Sequence, residues 1–109
     1  MRAVITIPED DQPLLTFSAR VRNTDGTLSV IDLTGASMSW ISKANEKVDD
    51  NTGQTITGVV LGAPTDGNFT VQLTSAVTAS AGVYFYKVVV TKNSRPLTVQ
   101  FGPLYVAST

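Results

Sequence analysis

The sequence contains no cysteine and no histidine. Their absence removes disulfides, thiol nucleophiles, the commonest general base and zinc sites of the usual ligand set. Charge of one sign is also missing. Eight Lys and Arg against nine Asp and Glu give a formal net charge of -1, so no overall field draws in nucleic acid or an anionic membrane. Neither is an expected partner. Apolar runs are only a few residues long, as in Val88-Val89-Val90, whereas a membrane-spanning helix needs about 20. The opening stretch is cut by Pro8 and then by Glu9-Asp10-Asp11, with no small-residue cleavage site after it. The expectation is a free-standing product made and released in the cytoplasm.

What is present points to strands. The 109 residues are 42% hydrophobic and 16% charged, which suits one folded domain and is too apolar for a disordered tail. Thr, Val and Ile make up 34 of the 109 residues; β-branched side chains fit a pleated surface and crowd a helix. Turn signals recur at short intervals, among them Asp25-Gly26, Thr34-Gly35, Asp66-Gly67, Ser80-Ala81-Gly82 and Asn93-Ser94-Arg95-Pro96. Short strands so spaced predict an all-β sandwich or barrel.

Alternation places the strands. Leu15, Phe17, Ala19 and Val21 are expected on a buried face, with Thr16, Ser18, Arg20 and Arg22 opposite. Ala36, Met38 and Trp40 alternate in the same way and predict a core Trp40. Further strands are expected over Ala3–Ile7, Gln54–Leu61, Asn68–Thr74, Val83–Thr91 and Leu97–Val106, with a short edge piece at Leu28–Asp32. Phe69, Val71 and Leu73 face inward, and Thr74–Ser80 forms one helical turn crossing between sheets. Residues 1–12 read as an N-terminal arm or edge strand, and residues 13–109 as a single domain.

The stretch from Val83 to Val90 is apolar on both faces, as in a central strand whose outer face also meets something. That face, Val83, Phe85 and Val89, is one candidate interface, the other explanation being a loop lying over it. Arg20 and Arg22 form a second candidate, for phosphate or acidic partners, or else a solvated face.

Catalytic and cofactor chemistry finds little support. The carboxylates of Glu9-Asp10-Asp11 and Asp49-Asp50 are sequence neighbours, whereas glycosidase-type catalysis sets two carboxyls across a cleft. Asp49, Asp50 and Asn51 lack the spacing and closing Glu of a calcium loop. No Ser-x-x-Lys, phosphate loop or Gly-x-Gly-x-x-Gly occurs. Asn68-Phe69-Thr70 matches a glycosylation acceptor but reads as a hairpin turn entering a strand. No catalytic residue, metal or cofactor is expected.

Two features resemble the immunoglobulin-like sandwich. Trp40 stands where such folds place a core Trp. Ser80-Ala81-Gly82-Val83-Tyr84-Phe85-Tyr86 is similar to the Asp-x-Gly-x-Tyr-x-Cys stretch that begins their sixth strand. The resemblance implies an antiparallel sandwich of about seven to eight strands, with Tyr84 as a corner tyrosine. Tyr86 stands in place of the cysteine, so no inter-sheet disulfide exists.

A longer likeness runs from about Leu14 to Val106. Asp25-Gly26, then Asp32-Leu33-Thr34-Gly35-Ala36 leading into a strand, Asp66-Gly67 before Phe69-Thr70-Val71, and Ala81-Gly82-Val83-Tyr84 follow in order. This set resembles the N-terminal domain family of phage baseplate upper proteins and related small tail proteins, without the larger C-terminal region of the former. It implies a non-enzymatic virion structural protein, a tail or baseplate adaptor that contacts other virion proteins and occurs in multiple copies. A capsid decoration or head-fibre protein of the same fold, or a carbohydrate- or receptor-binding module using exposed Trp40 or Tyr84, are the alternatives. The arm from Met1 to Asp11 is expected to cross to a neighbouring subunit, so that deleting Met1 to Pro8 abolishes assembly while the domain still folds.

Overall fold

Among the described residues, alternation carries the chain through ten strands rather than the seven or eight expected, because two of the expected strands each serve two sheets. The computed structural model describes residues 2–108; Met1, first in the expected arm, and Thr109, last in the expected domain, lie outside them. The strands are β1 (Ile5–Pro8), β2 (Leu14–Ser18), β3 (Arg20–Arg22), β4 (Leu28–Val30), β5 (Ser37–Lys43), β6 (Gln54–Thr57), β7 (Val59–Val60), β8 (Asn68–Gln72), β9 (Gly82–Lys92) and β10 (Arg95–Ala107). One helical turn, α1 (Ser75–Thr78), joins β8 to β9, where the crossing turn is expected.

Five strands form one sheet in the order β1-β10-β9-β5-β6, and three form another in the order β2-β8-β7. Every pairing is antiparallel except that of β1, which runs parallel to β10. Side chains of both sheets meet in one core, and the arrangement is that of an immunoglobulin-like sandwich.

The first break falls at Ala19. Its N–H donates to Gly67 O (2.7 Å) and its carbonyl accepts from Ile31 N (3.0 Å), so the chain leaves β8 there and β3 pairs with β4 as a separate ribbon. This alters one expectation. Phe17 and Ala19 are buried, but Val21, predicted to follow them inward, is 40% exposed because it lies past the break.

The second break is Gly58. Its N–H donates to Met38 O (2.8 Å), and a Cβ there would press on Met38, Phe69 and the Thr70 carbonyl. Glycine thus lets the strand pass between the sheets, β6 pairing with β5 and β7 with β8.

The core is built around aromatic rings. Trp40 and Tyr86 stack 4.9 Å apart and 8° from parallel, and Phe17 of the other sheet lies 6.2 Å from Trp40 and 5.7 Å from Phe69. Met38, Phe69, Val71, Leu73, Val88 and Leu104 close around them. Tyr86 thus fills the place of the missing cysteine with a ring, and dispersion between rings replaces a covalent link.

The expected corner tyrosine forms. Tyr84 Oη donates to Ser80 O (2.8 Å), pinning the turn that launches β9. Tyr84 itself is half-buried against the core rather than enclosed in it.

Candidate interaction surfaces

Two surfaces emerge from this fold, and each contains residues singled out by sequence. The first is the outer face of the five-stranded sheet. Cross-strand register sets Val83 beside Tyr105, Phe85 beside Pro103 and Lys43, Lys87 beside Phe101 and Ile41, and Val89 beside Thr98 and Ser39. Strand alternation turns this whole set outward. Val83 is 61% and Tyr105 41% exposed, while Phe85 and Val89 are half-buried.

A loop covers part of this face. Asp50 reaches down from the turn after β5 to accept from Lys43 Nζ at 2.7 Å and to pair with Lys87 Nζ at 2.6 Å. Lys43 Nζ also donates to Val48 O (2.8 Å) and lies over the Phe85 ring. Its long methylene stem is buried while its charge is matched. The two lysines hold the Asp50 carboxyl below the usual carboxylate range, their hydrogen bonds outweighing desolvation. Part of the apolar outer face is thus covered, with Lys43 over Phe85 and Asp50 on both lysines, while Val83 stays open. Between them is a hollow of about 470 Å³, walled by Arg2, Glu46, Val83, Phe85 and Pro103 among others.

The second surface holds Arg20 and Arg22. The β3–β4 ribbon stands away from the start of β10 and leaves a groove of about 570 Å³, lined by Arg20, Val21, Arg22, Leu28 and Leu97 among others. Arg20 Nη1 donates to the carbonyls of Ala19 (3.0 Å) and Asp66 (3.4 Å). Among the described residues neither arginine is ion-paired. Val21, Leu28 and Leu97 are each 40% exposed or more. The two arginines therefore sit beside an apolar cleft, a combination that the sequence did not reveal because Leu97 lies 75 residues from Arg22.

The N-terminal arm is part of the sheet. Ile5 to Pro8 pair with Leu104 to Ala107, Ile7 is 3% exposed, and Ala3 N donates to Phe101 O. Tyr86 Oη donates to Ala3 O (2.9 Å) and accepts from Gln100 Nε2 (2.8 Å). Deleting Met1 to Pro8 would therefore strip a strand from the sheet and Ile7 from the core. Of the two descriptions of residues 1–12, edge strand fits 5–8.

The acidic runs are engaged or dispersed. Glu9 Oε2 accepts from Ala81 N (3.1 Å), Asp10 and Asp11 are exposed, and Asp50 is held by its lysines. Among the described residues no group of three or more acidic side chains is placed to hold a metal ion. Trp40 is fully buried, which withdraws it from stacking on a sugar.

No family model matches the chain, and no curated protein does. A solved structure similar to it is a family 123 glycoside hydrolase from Clostridium perfringens, studied for glycolipid glycan hydrolysis. It is 12% identical over 99% of this chain with a TM-score of 0.43. The chain spans 23% of that protein's length, and a likeness of this order carries no argument about activity.

Proposed function

We propose that the chain is a non-enzymatic structural module of a virion, a tail or baseplate adaptor that joins other virion subunits through a sheet face. The observation that carries this reading is the open part of the outer face, where Val83 and Tyr105 stand side by side at 61% and 41% exposure, beside the hollow next to Phe85. Exposed apolar side chains grouped on one rigid sheet are what protein interfaces use. The Asp50 clamp supports it too, because it fixes the loop that walls the hollow and leaves little to order on binding. The ordered sequence likeness to baseplate upper protein N-terminal domains supplies the kind of partner.

Co-expression with a panel of phage tail and baseplate proteins tests the reading. A discrete complex of fixed stoichiometry is expected, and V83R or Y105R should dissolve it without unfolding the domain. Absence of any complex with those proteins, or indifference to both substitutions, contradicts it.

A further inference from the structure

The groove and the acidic run sit at opposite ends of the molecule. Glu9 N donates to Ala107 O (2.7 Å), which places residues 9–11 beyond the end of β10, while the groove is lined by Leu97 and Thr98 near its start. Nine or so residues at about 3.3 Å each separate the two by roughly 30 Å, most of the 41 Å long axis.

Their chemistries match. The groove presents two arginines with no carboxylate among its lining residues, together with exposed Val21, Leu28 and Leu97. The loop at the other end presents exposed Asp10 and Asp11, neither ion-paired among the described residues, followed by Leu14 at 59% exposure. Its backbone is held in place: Asp10 N donates to Thr78 O (2.9 Å) and Thr78 Oγ1 to Asp11 O (2.7 Å). An exposed, preformed, acidic and aliphatic loop thus faces one way, and a basic and aliphatic groove the other.

We propose that the groove receives the loop at residues 10–14 of a second copy of this chain, joining molecules head to tail. The two contacting surfaces differ, so the contact does not close into a two-fold dimer; it propagates into a ring or a filament. The inference goes beyond the adaptor reading, since it uses another surface and another occupant.

Light scattering and sedimentation of the full chain, from micromolar up to about 1 mM, test it. The mass should rise past that of a dimer, to that of a closed ring or a growing filament, and added salt should weaken the association. R22E and D11R should each weaken it at least about tenfold, and D11R/R22E in one chain should restore it. Both side chains are exposed and, among the described residues, make no side-chain bond, so circular dichroism should remain that of the wild type. A monomer at every concentration, association that stops at a dimer, or a double variant that does not recover overturns the proposal. V83R and Y105R should leave self-association intact, which separates failure here from failure of the adaptor reading.

Discussion

The Trp40 indole lies flat against the Tyr86 ring, 4.9 Å between centroids, at the position where immunoglobulin-like domains carry a disulfide against their core tryptophan. The stack does more than fill space. Tyr86 Oη continues through the sheet to Ala3 O and Gln100 Nε2, so one residue ties the core to both the N-terminal segment and β10. Burial also pushes the Tyr86 phenol up, opposed in part by the Gln100 hydrogen bond.

Truncation of this stack should therefore be severe, and removal of the hydroxyl milder. Trp40→Ala opens a cavity and should cost about 3–5 kcal/mol, against a total of about 5–15 for a domain of this kind. Tyr86→Phe keeps the stack but leaves Ala3 O without its donor, and should cost about 1–2 kcal/mol. Urea denaturation of the two variants checks both the values and their order.

Gly102 tests the docking of the segment before β1 without touching the core. A Cβ at that position would run into the Ala3 carbonyl. Gly102→Ala should therefore push residues 2–4 off β10 while Phe69 and Trp40 stay packed. Hydrogen exchange should show the Ala3 amide losing protection and the β5 amides keeping theirs; unchanged protection at Ala3 would mean the close approach is not tight.

The corner hydrogen bond has its own reading. Tyr84→Phe removes only the donor to Ser80 O and should cost about 1 kcal/mol. Thermal unfolding of this variant should be shifted by a few degrees, about 4–8 °C per kcal/mol for a domain of this size.

Asp50 makes stability depend on pH in a definite direction. Its folded pKa is lowered by Lys43 and Lys87, so its contribution is present above the unfolded value of about 3.9 and is lost as pH falls through the folded value. Asp50→Asn leaves Lys43, 6% exposed, without its counter-charge. Because Asp50 itself is 42% exposed, solvent screening reduces the loss to about 1–2 kcal/mol at neutral pH. The gap between wild type and D50N should narrow to nothing as the wild-type carboxyl protonates. Asp25 and Asp32, also held low by hydrogen bonds from Thr27 and Thr34, remain in both proteins and cancel.

Local pattern made much of this structure legible. Alternation placed Phe17, Trp40, Phe69, Val71 and Leu73 in the core, and a short motif placed the corner bond of Tyr84. What stayed hidden depends on partners far along the chain. The breaks at Ala19 and Gly58 are decided by the carbonyls of Gly67 and Met38, and the parallel docking of β1 by residues about a hundred positions away. Arg20 and Arg22 were visible as a charged face, but the groove beside them exists only because β3 departs from the sandwich and leaves Leu28 opposite Leu97. The Asp50 clamp was likewise hidden, since nothing in Asp49-Asp50-Asn51 says that two lysines of neighbouring strands converge on it.

Co-purification decides whether the outer sheet face binds a virion protein, as we propose. Wild-type chain and V83R should be co-expressed in parallel with a panel of phage tail and baseplate proteins, and the complexes weighed by multi-angle light scattering. A complex of fixed mass is expected for the wild type, and free monomer or self-assembled chain for V83R; equal complexes for both, or none for either, would overturn the proposal.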